Sequence, residues 1–269
     1  MDTGPLGYLS IAAHGHADAL AISLAVDGAD VIGDPGAGSY YGHPAWREAH
    51  RGTRMHATVA VDDLDQSVSG GPFLWVRHAR VIVHAVDLDR GVVDAEHDGY
   101  RRLTSPVTHR RWLLAPPGAR AVLVVDRLVG AGEHRARSSW PLHPALDVTD
   151  VPDGHLATRA GRPVLQLAYA ASAPWSPHAT HADDVTHLGW WSTRLESREP
   201  AWLVGHVSEA SVPVVLATLL VPLGESGAEV ADLAVAGTPD VVTVRWTEDD
   251  HRRVVDVDLA RPGAIYYSQ

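Results

Sequence analysis

The sequence predicts an all-β fold, namely an antiparallel β-sandwich with one short helix and long loops. Apolar and polar residues alternate in many short segments, as at Leu20, Ile22, Leu24 and Val26, and a period of two is that of a strand with one buried face. Residues that favour turns separate these segments at the intervals typical of a sandwich. With 269 residues, 45% of them hydrophobic, the chain is long enough to bury a substantial core.

Strand patterns recur along the whole chain. Short runs around Val81 and Val92 carry the pattern, and longer ones occupy residues 58–61, 108–114, 121–128, 163–170, 212–220, 241–246 and 253–259. Residues that tolerate tight turns join several of these segments, at Asp27-Gly28, Pro116-Pro117-Gly118 and Glu248-Asp249-Asp250. We therefore expect sequential strands to pair in antiparallel fashion.

One short helix and two long loops are predicted between the strands. The helix covers residues 43–51, because Pro44 suits a first helical turn and Trp46, Ala49 and His50 fall on one side. The loops cover residues 146–163, rich in Asp, Gly and Pro, and residues 172–187, rich in Ser, Pro and His. Because strand patterns resume after each loop, we expect a single domain over residues 1–269.

Charge and composition exclude several classes of function. The formal net charge of -11 disfavours nucleic acid and anionic membrane surfaces as partners, since both attract a positive protein surface. The chain has no Cys, so a metal site must use His and carboxylate ligands. No segment approaches the roughly 20 apolar residues of a membrane helix, so membrane insertion is not expected.

The residues that could carry chemistry are concentrated in residues 12–60. His14-Gly15-His16 precedes the first alternating segment, and the Asp27-Gly28 turn brings Asp34 back toward the same end. Simple hairpin counting pairs Asp34 with a residue nearer Ala21 than His16, so their contact requires a bend before the strands pair. With His56 as a third donor, two imidazoles and one carboxylate suit Zn²⁺. The alternative is chance spacing among 17 histidines, with a structural hydrogen-bonding role for His14 and packing roles for Tyr40 and Tyr41.

A local run of basic residues lies between His43 and His56. Arg47, His50, Arg51 and Arg54 are opposed only by Glu48. Arginine binds carboxylate and sulfate through paired hydrogen bonds, so this run could hold an acidic sugar on an acidic protein. The alternative is a helix face that only contacts solvent.

An ordered set of motifs resembles the heparinase II/III family. The set runs through most of the chain, as Gly4-Pro5-Leu6-Gly7, His14-Gly15-His16-Ala17-Asp18, Asp34-Pro35-Gly36, Tyr40-Tyr41, Arg51-Gly52-Thr53-Arg54, His56-Ala57-Thr58-Val59, Gly71-Pro72-Phe73-Leu74-Trp75, Glu96-His97-Asp98-Gly99-Tyr100, Gly189-Trp190-Trp191-Ser192 and Glu199-Pro200. The resemblance is to the C-terminal β-sandwich of these enzymes. It implies a preceding α/α toroid, as a domain or a subunit, that completes the cleft.

The resemblance also implies roles for individual residues. His16, Asp34 and His56 would hold a chiefly structural zinc ion, and Asp18 would lie just outside these ligands. His14 would face the sugar. A tyrosine of the loop after Asp34 would act as general acid or base, with Tyr41 preferred to Tyr40. The family commonly has Asn after the third ligand histidine, whereas this chain has Ala57.

The activity implied is that of a polysaccharide lyase, which cleaves uronic-acid glycans such as heparin-like, heparan-like or alginate-like polymers by β-elimination. His14 would stabilise the charge that develops near the sugar carboxylate, with Arg51 or Arg54 binding the substrate. An anionic polysaccharide or oligosaccharide is thus the expected partner, and the resemblance implies a cell-envelope or extracellular location.

Two other functions fit the sequence less fully. A non-catalytic carbohydrate-binding or structural β-sandwich would need no toroid. A cupin-like metal oxygenase also begins with His-x-His on β structure, but the Glu expected a few residues after the second His is absent.

Overall fold

The computed structural model describes residues 1–223 and 230–268. Up to residue 80 the chain consists mainly of turns and short elements, namely β1 (Leu24–Val26), β2 (Ala29–Ile32), α1 (Pro44–Arg51), a 3₁₀ turn (Thr53–Met55), β3 (Val59–Val61), β4 (Val68–Gly71) and β5 (Leu74–Arg77). Neither α1 nor any other helix in the described ranges is long and apolar enough to cross a membrane.

Longer strands build the remainder of the chain. In order they are β6 (Val81–Asp87), β7 (Val92–His97), β8 (Val107–Leu114) after a 3₁₀ turn (Gly99–Arg102), β9 (Val122–Gly130), β10 (Glu133–Pro141), β11 (Asp147–Val151), β12 (Gly154–Arg159), β13 (Arg162–Ala171), β14 (Trp175–His181), β15 (Trp190–Trp191), β16 (Glu199–Pro200), β17 (Trp202–Ser211), β18 (Val214–Pro222), β19 (Val230–Gly237), β20 (Val241–Glu248), β21 (His251–Asp258) and β22 (Ile265–Ser268).

An eight-stranded sheet forms the middle layer, in the spatial order β11-β12-β13-β18-β9-β8-β7-β6. Its neighbouring strands pair antiparallel throughout. Strands β9 and β18 at its centre are buried on both faces, which is why their sequences are almost continuously apolar. On β9, Leu123 and Val125 pack toward one outer sheet and Val124 toward the other.

The two outer sheets each have four strands. The order β14-β17-β10-β3 covers one face of the middle sheet, and β19-β20-β21-β22 covers the other. Trp140 is a large side chain in the first interface and Trp246 in the second. The predicted all-β antiparallel sandwich is confirmed, and the C-terminal sheet adds a third layer to it.

The predicted turns and helix are also confirmed. Asp27 and Gly28 have φ angles of 53° and 76° between β1 and β2, and Asp249 and Asp250 have angles of 48° and 64° between β20 and β21. Two adjacent left-handed residues are typical of a type I′ hairpin turn, whose twist matches that of the strands. Helix α1 begins at Pro44, one residue after the predicted start.

The two predicted loops were wrong, since both contain strands. Residues 146–163 form the β11–β12 hairpin, and residues 172–187 contain β14. Strands β11 and β14 lie at the edges of their sheets and are mostly exposed. Edge strands carry polar residues and proline, as Pro177 in β14 illustrates, so their composition resembles that of loops.

The first alternating segment is also shorter than predicted, because β1 begins only at Leu24. Leu20 adopts a left-handed φ of 64° and is fully buried. The chain thus turns before the ladder starts, which is the bend that a contact between His16 and Asp34 requires.

A buried network of polar side chains joins the middle sheet to the N-terminal segment. Arg111 donates two hydrogen bonds to Asp126, of 2.6 and 2.9 Å, and further ones to the carbonyls of Leu20 and Ala57. His109 lies 2.6 Å from the same carboxylate. Burial alone would raise the pKa of Asp126, but the charges of Arg111 and His109 hold it well below its usual range.

Replacing Asp126 by Asn should lower the free energy of unfolding by about 3–5 kcal/mol, because the Arg111 charge is left buried without its partner. Urea denaturation followed by circular dichroism measures this loss. Asp258→Asn, which breaks the surface pair with Arg261, is the control and should cost far less. Equal losses in the two variants would contradict the importance of the buried pair.

Acid should destabilise the fold through His206. This side chain is fully buried and stacks on Tyr169 with ring centroids 4.8 Å apart. Burial and the neighbouring His178 lower the pKa of His206 to about 3, against 6.5 for an ordinary histidine. Between these two values the unfolded chain binds a proton that the native chain excludes, so stability falls as the pH falls, by up to about 1.4 kcal/mol per pH unit.

His206→Phe keeps an aromatic ring against Tyr169 and removes the proton. Urea midpoints measured from pH 7 to pH 4 should therefore decline less steeply in this variant than in the wild type. His181→Phe is the matched control, because His181 is exposed and stacks on Trp202. Identical pH profiles for wild type and His206→Phe would show that another group causes the acid loss.

Candidate functional site

Three of the predicted site residues meet at one point. His16 Nδ1 lies 3.1 Å from His56 Nε2 and 3.2 Å from Asp34 Oδ2, and the last two atoms are 3.7 Å apart. Within the described residues, these are the His and acidic side chains whose donor atoms converge closely enough to hold a metal ion. The structure thus brings together residues that are 18 and 22 positions apart in the sequence.

Local hydrogen bonds orient two of these three side chains. His56 Nδ1 lies 2.8 Å from the carbonyl of Gly52, which leaves its Nε2 facing the other two residues. Asp34 Oδ1 accepts a hydrogen bond of 2.6 Å from the amide of Gly36, which directs Oδ2 toward the histidines. Backbone and carbonyl partners of this kind orient the ligands of many metal centres.

The three donor atoms fit a tetrahedral zinc ion. Ligand distances of about 2.0–2.2 Å place two ligand atoms of a tetrahedron about 3.3–3.6 Å apart, and the three separations, 3.1, 3.2 and 3.7 Å, lie around that range. A cavity of about 340 Å³ opens beside Asp34 and His56 and is also lined by Asp18. A fourth ligand could therefore reach the cluster from solvent.

The cluster concentrates opposite charges. Burial alone would raise the pKa of Asp34, but hydrogen bonds from His16 and His56 hold it well below its usual range. Burial alone would lower the pKa of His56, yet Asp34 and Asp18 outweigh it and raise the value to about 9. Burial raises the pKa of Asp18 against the opposing charges of the two histidines. The three side chains therefore favour a positive charge between them.

Gly15 separates the two histidines of the motif and could not be replaced by a larger residue. A Cβ atom at this position would lie 2.1 Å from the carbonyl oxygen of Leu6. His16 faces Asp34 and His56, whereas His14 is exposed and contacts Tyr40. The segment thus contributes one histidine to each of two neighbouring clusters.

The second cluster is aromatic and partly exposed. The Tyr40 hydroxyl lies 3.0 Å from His14 Nδ1, and Phe73 packs against both tyrosine rings with centroid distances of 5.7 Å to Tyr40 and 5.2 Å to Tyr41. Tyr41 is 80% exposed. The sequence-based preference for Tyr41 is therefore not supported by the geometry, which places Tyr40 against His14.

The structure uses the basic run differently from the sequence-based expectation. Arg51 is fully buried, donates to the carbonyl of Gly71 and stacks 4.2 Å from the Trp75 ring. Arg54 lies 3.6 Å from Asp63. As placed, Arg51 cannot reach a ligand and Arg54 is engaged by an acid, so their predicted role in substrate binding is not favoured.

Of the basic run, Arg47 is the residue that packs against the aromatic cluster. Its guanidinium lies 4.5 Å from the Tyr40 ring centroid and 4.7 Å from that of Phe73, and it donates to the carbonyls of Ala13 and Pro72. Arg47 and Arg51 are one helical turn apart, which places both on the buried face of α1. That spacing predicts that the two arginines share one helix face, but only the structure shows that the face is buried.

Glu196 was missed by the sequence analysis. Its carboxylate accepts hydrogen bonds of 2.9 Å from both the Ser39 hydroxyl and the Tyr40 amide. The partners are 156 residues or more apart in the sequence, so no local pattern could have linked them. Glu196 holds the loop that carries Tyr40 against the rest of the site.

Comparisons with known proteins agree with this architecture. Residues 1–212 match the family model described as heparinase II/III-like, C-terminal. No curated protein matches the chain.

Several solved structures share the fold. A heparinase III superposes with a TM-score of 0.75 at 15% identity over 96% of this chain and 38% of its own. The heparan sulfate lyase HepC from Pedobacter heparinus gives 0.72 at 16% identity over 96% of this chain and 39% of its own. A further heparinase III structure gives 0.74 at 14% identity, over 94% and 37%. The chain thus spans well under half the length of these structures.

Proposed function

Because this chain belongs to the heparinase II/III-like C-terminal family, we propose that it is the β-sandwich part of a polysaccharide lyase acting on uronic-acid glycans. The observation that supports this most directly is the contact between His14 and Tyr40. Their side chains meet at 3.0 Å on an accessible surface, two residues from His16 in the metal-binding cluster. A base or acid and a polar partner in hydrogen-bond reach are what proton transfer at a sugar carbon requires.

The reaction is a β-elimination, in which the C5–H bond and the C4–O4 bond of the uronic acid break and a C4=C5 double bond forms. The proton from C5 is balanced by the proton that the leaving O4 takes up. Tyr40 would remove the proton at C5 or supply the one at O4, since its hydroxyl can do either. His14 holds that hydroxyl and would stabilise charge that develops at the sugar carboxylate.

His16, Asp34 and His56 would hold zinc. When bound, the ion supplies a fixed positive charge that links three separate segments of the chain. This role is mainly structural, because His14 and Tyr40 belong to a different cluster from the ligands. Its effect on the reaction is to keep the segment of His14 and the loop after Asp34 in place.

A helical domain or subunit would complete the cleft, as the resemblance to these lyases implies. The chain spans 38% of the heparinase III to which it is similar, so that enzyme contains a large further part. The exposed side of His14, Tyr40 and Tyr41 is the surface that such a domain would face. The sugar would lie between the two.

Metal analysis tests the ligand assignment. The purified chain should carry about one zinc ion, and His56→Ala should lose it, because a zinc site with two protein ligands binds weakly. Chelation should lower the melting temperature of the wild type but not that of His56→Ala. His251→Ala, at an exposed position on β21, should retain the metal. A wild-type chain without zinc after growth in zinc-supplemented medium would rule out the assignment.

Turnover tests the lyase proposal. The chain, supplied with the helical domain or subunit that would complete the cleft, would be incubated with heparan sulfate and with alginate while the ultraviolet absorbance of the unsaturated uronide is followed. Tyr40→Phe should reduce the rate by about 10²-fold or more, since it removes a proton-transfer group. Tyr41→Phe is the matched control and should change the rate far less.

Two outcomes would contradict this proposal. A larger loss in Tyr41→Phe than in Tyr40→Phe would reassign the tyrosine. Oligosaccharide binding with zinc present and no absorbance rise on either polymer would instead support a non-catalytic carbohydrate-binding sandwich.

A further inference from the structure

A groove of about 1060 Å³ lies beside the end of β5, and neither of the two clusters described above lines it. Residues 3–6 form one wall, and the end of β5 with the segment to Val81 forms the other. Arg77, His78, Arg80 and Asp98 supply its charged and titratable groups. The volume is in the range of small-ligand sites, at the upper end.

The groove presents unpaired positive charge. Arg77 and Arg80 are exposed, and in the part of the chain that the structure describes neither guanidinium has an acidic group within ion-pair distance. The Asp98 carboxylate, which also lines the groove, accepts a hydrogen bond of 2.8 Å from the backbone amide of Arg80, so its negative charge offsets only one of the two guanidinium charges.

This location matters because the chain as a whole is strongly acidic. A net charge of -11 repels an anionic polymer except where cations are concentrated at the surface. The basic run of α1 does not provide such a surface, since Arg47 and Arg51 are buried. Arg77 and Arg80 are therefore better placed to attract a carboxylate or sulfate group from solvent.

Strand β5 connects the groove to the proposed reaction site. Phe73, just before β5, packs on Tyr40, and Arg77 ends the strand. The four residues of β5 therefore separate Phe73 from the groove by about 13 Å along the strand. Leu74 and Val76 are 37% and 62% exposed along this path, so they offer apolar surface to the carbon faces of a sugar.

We propose that this groove is a second binding site for the acidic polysaccharide, which holds its carboxylate or sulfate groups on Arg77 and Arg80 beyond the bond that is cut. The inference rests on the proposed lyase function and names a further part of its substrate-binding surface. It predicts that long oligosaccharides use the groove and that the shortest ones do not.

The test compares two double variants in a Tyr40→Phe background, which prevents turnover during the measurement. Arg77→Gln/Arg80→Gln removes the groove cations. Arg245→Gln/Arg252→Gln removes two exposed arginines from the C-terminal sheet and changes the net charge equally. Isothermal titration calorimetry measures the binding of a heparan sulfate octasaccharide and of a disaccharide.

The octasaccharide should bind roughly tenfold more weakly to the groove variant than to its parent, since two exposed charge contacts are lost. The difference should shrink in 0.5 M salt, at which exposed charges are screened. The disaccharide should bind equally well to the groove variant and to its parent. The affinity of the control variant for the octasaccharide should stay within about twofold of that of the parent. Circular dichroism spectra and melting temperatures verify that both variants are folded.

Several results would overturn the proposal that the groove binds the polysaccharide. These are unchanged octasaccharide binding in the groove variant, an equal loss in the control variant, an equal loss for the disaccharide, or no binding by the parent chain. Single-stranded DNA of equal charge that binds as tightly, with the same sensitivity to the two substitutions, would overturn its assignment to a sugar.

The groove and the lyase proposal fail in different ways. Binding that depends on Arg77 and Arg80, without ultraviolet product from the wild type when the helical domain or subunit is supplied, supports the groove and rejects the lyase. Product formation by the wild type, with octasaccharide binding unaffected by the two substitutions, supports the lyase and rejects the groove.

Discussion

The candidate site depends on side chains that bind the backbone of residues 13–20, a segment with no strand or helix of its own. Its carbonyls accept hydrogen bonds from six side chains, at Ala13 from Arg47, at Gly15 from Trp75, at Ala17 from Thr53, at Ala19 from Thr58 and Gln66, and at Leu20 from Arg111. A buried backbone carbonyl without a partner costs free energy. An irregular segment can therefore lie inside the fold only where such donors surround it.

This arrangement explains why so many arginines are internal in a protein that lacks lysine. Arg47, Arg51 and Arg111 each combine a hydrogen bond to a backbone carbonyl with contact to an aromatic ring. A planar guanidinium stacks on a ring while its in-plane N–H groups donate outward, a geometry that a lysine ammonium cannot adopt. Arg111 also needs the Asp126 carboxylate, because a buried charge without a counter-charge is unfavourable. The cluster of His16, Asp34 and His56 and the contact between His14 and Tyr40 both depend on this network.

The third layer has a separate role. The family model ends at residue 212, yet the described strands β19 to β22 pack onto the middle sheet and share its largest apolar cluster. Without that layer, Leu123, Val125 and their neighbours on one face of the middle sheet would contact water. The C-terminal sheet thus completes the core from the side opposite the site, and the site itself lies entirely within the first 212 residues.

From the sequence alone, the fold class, the Asp27-Gly28 and Asp249-Asp250 turns, the helix after Pro44 and the grouping of His16, Asp34 and His56 could be predicted. Each of these follows from a local period, a turn preference or a recognisable motif. The polar edge strands β11 and β14 could not be, since an exposed edge has the composition of a loop. The contact of His14 with Tyr40 rather than Tyr41, the burial of Arg51, the hydrogen bonds of Glu196 to the Tyr40 loop and the groove at Arg77 were decided only in the tertiary structure. The reason is that each depends on which distant segment covers a side chain, and a sequence pattern carries no information about that partner.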